Sequence, residues 1–228
     1  MKSQKRTSVC FFVLSTTLLF ASRAQSSQPP VFVFNSFGPG NSYVTYADWG
    51  ISGASGLSGG FVGHAELFVP SVSGNLYSLQ VAAGQLSGGT GLVNFSVAAD
   101  NGGTPGATLE SFLNAQAPSP GSGVLTINSI TQPLLQAGAT YWLCAEPAQS
   151  TTAVGWFVTD QGFKNDYAQE GPPGQWTSGH ITFENNGAFD VSVLPVPEPS
   201  MMGLMILGAG SFSLHRFRAR RLSRPSAH

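Results

Sequence analysis

The chain has 228 residues, of which 9% are charged and 28 are glycine, and a formal net charge of −1. Ordinary globular proteins carry about 25% charged residues. So few charges exclude a bundle of helices with charged outer faces and favour short strands joined by tight turns. The near-neutral total hides an asymmetry. Lys2, Lys5, Arg6 and Arg23 lie near one end, and Arg216, Arg218, Arg220, Arg221 and Arg224 near the other. Only Lys164 falls between them, among all eleven acids, so the middle carries close to −10. A domain of that sign repels phosphate backbones, which excludes nucleic acid as a partner.

The first 24 residues have the three parts of a secretory signal peptide. Lys2, Lys5 and Arg6 form the positive start, Val9 to Ala21 the apolar run, and Ser22-Arg23-Ala24 a small-residue cleavage site for signal peptidase before Gln25. The apolar run is too short to span a bilayer core of about 30 Å. Cys10 leaves with this segment, so Cys144 is the only mature cysteine. Neither an intramolecular disulfide nor a thiolate zinc cluster can form. Cys144 reads as a small buried hydrophobe on a strand.

From residue 31 to 194 the sequence reads as strands between turns. Strands are predicted at 31–34, 43–49, 61–69, 76–83, 92–99, 123–130, 140–146, 153–159, 180–183 and 189–194. Alternation is clearest in Leu92-Val93-Asn94-Phe95-Ser96-Val97 and in Leu125-Thr126-Ile127-Asn128. A period of two gives each strand one buried and one wet face. Turn signals intervene, among them Gly38-Pro39-Gly40-Asn41, Asp100-Asn101-Gly102-Gly103 and Glu170-Gly171-Pro172-Pro173-Gly174. A single helical turn fits at 109–113. About ten short strands at this spacing predict an all-β fold, an antiparallel two-sheet sandwich of jelly-roll type.

The C-terminal end, residues 195–224, again has three parts. Val196-Pro197-Glu198-Pro199-Ser200 is followed by an apolar segment at about 200–214 and then by the arginine cluster Arg216, Arg218, Arg220 and Arg221. The prolines keep the motif extended and accessible. The apolar segment, as a helix, reaches about 22 Å and needs snorkelling arginines to complete a span. The positive cluster holds that side cytoplasmic and leaves the middle of the chain outside.

This tail resembles the PEP-CTERM sorting signal of Gram-negative bacteria, whose V-P-E-P-[ST] core Val196 to Ser200 match in full. The resemblance implies recognition by an exosortase and a precursor held briefly in the inner membrane. The mature form is then expected at the cell surface or outside the cell. The middle region resembles the choice-of-anchor β-sandwich domains found ahead of such tails. That resemblance is carried by Tyr77-Ser78-Leu79, Asp100 to Gly106, Leu134, Gly138 and Tyr141-Trp142. It implies a fold and no catalytic activity.

The residues offer little chemistry of their own. His64-Ala65-Glu66 places a His and a Glu on one strand face and reads as a hydrogen-bonded surface pair, without a third metal ligand or an H-E-x-x-H motif. Asp100, Glu110, Glu146, Asp160, Asp166, Glu184 and Asp190 are scattered, with nothing to pair two of them as a glycosidase requires. Asp100-Asn101-Gly102 is a weak calcium candidate and a better hairpin turn. Flat rings stack on sugars, and Trp156, Tyr167 and Trp176 are the candidates for sugar contact within or beside the loop 160–176. The expectation is a non-enzymatic, cofactor-free surface or matrix protein associated with exopolysaccharide. A carbohydrate- or calcium-binding lectin-like module is the alternative, and a glycosidase the third reading.

Overall fold

A computed structural model of the chain describes residues 28–56, 59–180 and 185–196. The segment expected to be a signal peptide, 1–24, and the tail from Pro197 onward lie outside the described residues. Thirteen strands and no helix occur among the described residues. They are β1 (Val31–Asn35), β2 (Asp48–Ser52), β3 (Gly63–Phe68), β4 (Gly74–Gln85), β5 (Leu92–Asp100), β6 (Pro105–Gln116), β7 (Ser122–Asn128), β8 (Leu134–Leu135), β9 (Tyr141–Pro147), β10 (Ala153–Phe157), β11 (Asp166–Glu170), β12 (Trp176–His180) and β13 (Phe189–Pro195).

They form two antiparallel sheets. In the first, the order is β1-β13-β4-β10-β2, with β7 and β8 also paired to the long β4. The second runs β12-β11-β3-β9-β5-β6. Their facing sides share one core. The first sheet contributes Val33, Ile51, Leu79, Val81, Val154, Trp156, Phe189 and Val191, and the second Phe68, Val93, Phe95, Val97, Phe112 and Leu143. This is a sandwich, as expected. The alternation read in β5 holds: Val93, Phe95 and Val97 are buried, whereas Asn94 and Ser96 face away from the core.

A bulge adjusts the period in β4. Ser78 pairs with Ser192 and Leu76 with Val193, so Tyr77 is the extra residue. It lets Leu76 and Leu79, three apart, both reach the core.

The helical turn expected at 109–113 is absent. Those residues belong to β6, paired to β5 with three register shifts. The strand expected at 43–49 begins only at Asp48. Before it, residues 36–43 cross the outer face of the first sheet, where Phe37 and Tyr43 pack with Ala82, Phe157 and Ala188. β8 and β11 were not expected, and β12 starts four residues before the predicted 180–183, of which 181–183 lie outside the described residues.

Candidate functional surfaces

Strand parity separates the three aromatic rings picked out by sequence. Trp156 faces the core at 1% exposure, and its indole N–H is bound to the Ala188 carbonyl at 3.2 Å. It has no free face for a ligand, which corrects its selection as a sugar contact. Tyr167 pairs across strands with Glu66 and shares that residue's inward face. Its ring stacks on Trp49 (5.4 Å between centroids) and on His64 (5.5 Å). Trp176 pairs with Glu170, three residues from Tyr167 and therefore on the opposite, outer face. It packs, half-buried, on Ala65, Ala98, Trp142, Cys144 and Ala168. The three rings do not form one groove, and the supposed loop holding two of them contains β11.

His64 and Glu66 are bonded to each other as expected, at 2.9 Å, but they are buried rather than on the surface. Both point between the sheets because they alternate with Ala65, which faces out. Glu66 also accepts the Gly187 N–H at 2.8 Å and the Asn186 side-chain amide. The His64 ring stacks on Trp49 at 4.5 Å, and the Trp49 indole N–H is bound to the Asn185 carbonyl at 3.2 Å. The network joins strands of both sheets to residues 185–187, which gives it a structural role.

The remaining carboxylates divide clearly. Asp100 accepts the Gly103 N–H at 3.1 Å and the Trp142 indole N–H at 2.8 Å. Gly102 and Gly103 follow it with positive φ, 68° and 92°. This is turn chemistry with an added tether to Trp142. Glu110 accepts from the Ser129 hydroxyl and from the Ile130 and Thr131 N–H groups. It thereby pins the turn after β7, and although burial works against ionisation, these bonds bring its pKa below the usual value. Asp160 takes bonds from Gln161 and Ser42, which lower its pKa. Glu184 lies outside the described residues.

Asp190 and Glu170 stand apart. Asp190 is fully buried on the outer face of the first sheet, where both its oxygens lack a hydrogen-bond partner. Burial drives its pKa up to about 7, only partly opposed by the nearby Gln80 backbone. Glu170 is buried on the outer face of the second sheet with Oε2 unpartnered. Its pKa is also raised to about 7, by burial first and by Glu146 in addition. Burial likewise raises Glu146 and pushes the Cys144 thiol far above its ordinary range. Sequence spacing could not join Glu146 to Glu170, since only the strand order places them together.

Among the described residues, no three His, Cys, Asp or Glu side chains converge to hold a metal. No helix among them is long and apolar enough to cross a membrane. No family model matches the chain, and neither a curated protein nor a solved structure does. What fold and site define is thus a class: an all-β protein of two antiparallel sheets with an acidic, aromatic outer face on the second.

Proposed function

We propose that this is an exported, non-enzymatic cell-surface or extracellular-matrix protein, cut by signal peptidase and then by an exosortase, whose outer domain associates with exopolysaccharide. One observation carries the first part. β1 begins at Val31, soon after the proposed cleavage site at Ala24, and β13 ends at Pro195, immediately before Val196 opens the sorting motif. Val31 pairs with Val193. The described chain therefore begins and ends at one pole of the domain, an arrangement suited to a body tethered at its base and released by two cuts. The chain changes sheet at most of its connections, which supports a jelly-roll-like reading of the sandwich.

Processing is tested by mass spectrometry of the protein from its host. The expected mature chain starts at Gln25 and ends near Pro199, and it retains the arginine tail when the exosortase is deleted. A mature chain carrying Arg216 to Arg221 in the presence of active exosortase overturns the tail assignment.

The polysaccharide reading rests on Trp176, half-buried on the outer face beside Glu170. Aromatic stacking on sugars is weak per contact and insensitive to salt. Trp176→Ala is expected to reduce retention on polysaccharide from the same host severalfold, equally at low and high salt, in a pull-down of the purified protein. Retention unchanged by the substitution, or abolished by salt alone, rejects this surface and leaves an inert surface protein.

A further inference from the structure

The outer face of the second sheet brings two glutamates together around a glycine. Glu170 on β11 pairs with Gly63 on β3. The β3–β9 register starts at His64 opposite Ala145, and its next step sets Glu146 opposite the other side of Gly63. Neighbouring strands lie about 4.8 Å apart, so the two glutamates flank a gap about 10 Å wide at the Cα atoms, with no side chain on its floor.

The Glu170 carboxylate leans into that gap. A β-carbon on Gly63 would lie 2.8 Å from Glu170 Oε2 and 3.1 Å from its Cβ. Oε1 accepts the Gly174 N–H, whereas Oε2 has no partner although the residue is only 1% exposed. Glu146 is half-buried, so its side chain is partly open to solvent. β3, β5, β9 and β11 carry no Lys or Arg to neutralise the pair. A buried carboxylate oxygen without a partner calls for a proton, a water or an ion.

We propose that Glu146 and Glu170 bind a divalent, oxygen-seeking cation over Gly63, with calcium as its best fit. The ion supplies the partner that Oε2 lacks and removes the repulsion between two adjacent carboxylates. Calcium tolerates an irregular shell of six to eight oxygens, whereas magnesium demands a near-ideal octahedron. Water completes the shell. The donors on offer are carboxylate and water oxygens, which suit hard cations rather than thiolate-seeking metals. Two carboxylates without a dedicated loop set a weak affinity, about 10⁻⁴–10⁻³ M, as in extracellular calcium modules. The inference is independent of the polysaccharide reading.

The test uses the purified protein with terbium as a luminescent stand-in for calcium. Trp176 is the cross-strand neighbour of Glu170 and should sensitise terbium emission, and calcium should displace the terbium. Calcium at ten times its Kd should raise Tm by a few degrees, more than magnesium or sodium chloride at matched ionic strength. Glu146→Gln and Glu170→Gln should each weaken binding at least tenfold. Should Glu170→Gln fail to fold, the half-buried Glu146→Gln still decides. Absence of sensitised emission, a calcium shift no larger than that of the salt controls, or wild-type affinity in Glu146→Gln overturns the proposal.

Discussion

Glu66→Ala is expected to lower stability by about 3–5 kcal/mol, the scale of stripping one partner from a buried charged network. The physical reason is the number of donors it would abandon. His64, the Gly187 N–H and the Asn186 amide all converge on this one carboxylate, which is fully buried. Each orphaned buried donor costs about 1–3 kcal/mol, and alanine also leaves a void between the sheets. A single domain commonly has only about 5–15 kcal/mol of stability, so the loss is a large share. Glu66→Gln should cost less, because it keeps the volume and one acceptor oxygen. Urea unfolding followed by tryptophan fluorescence measures both. A loss below about 1 kcal/mol for Glu66→Ala would show that water replaces the carboxylate at little cost.

The legible part of the fold was the part governed by alternation. β5 and β7 announce themselves because Val93, Phe95, Val97, Leu125 and Ile127 recur every second residue, all toward the core. β6 did not. Leu109, Phe112 and Leu113 recur at helical spacing, and three register shifts against β5 break its period of two. β11 reads Asp-Tyr-Ala-Gln-Glu, with no β-branched residue, and becomes a strand because β3 and β12 pair with it from both sides. That is tertiary context overriding weak local preference.

The candidate site was harder to see for a related reason. Parity within a strand is visible in sequence, but which strands are neighbours is not. Glu146 and Glu170 meet only because β3 runs between β9 and β11 and presents a glycine at the crossing row. The same ignorance of neighbours put Trp156, Tyr167 and Trp176 on one surface, when they face the core, the inner edge and the outer face. His64 and Glu66 were paired correctly and placed wrongly, because the direction in which a strand's faces point is set by its packing. Asp190 gave no signal, being one acid in an otherwise apolar strand end.

Asp190→Asn is expected to stabilise the protein at pH 8 by about 2 kcal/mol or more, and to change little near pH 4. The side chain is fully buried, its two oxygens lack partners, and its cross-strand neighbours Asn35 and Gln80 are neutral. Burial dominates over the small help that the Gln80 backbone gives the ionised form, and raises the pKa from 3.8 to about 7. A raised carboxylate pKa means that the folded state holds its proton more tightly than the unfolded chain does. Asp190 therefore adds no penalty below about pH 4, and its burden grows as pH rises from 3.8 to about 7. Three pKa units correspond to about 4 kcal/mol, which local relaxation and water entry reduce. Asparagine keeps the shape, carries no charge at any pH, and has an amide that suits the neighbouring side chains. Denaturant titrations of both proteins from pH 4 to pH 8, with a chelator present to keep the glutamate pair free of cations, give the two curves. The wild type should weaken relative to the variant across that window, with the gap closing at its acid end. Parallel curves at every pH would show that Asp190 is already neutralised by a partner in the folded protein.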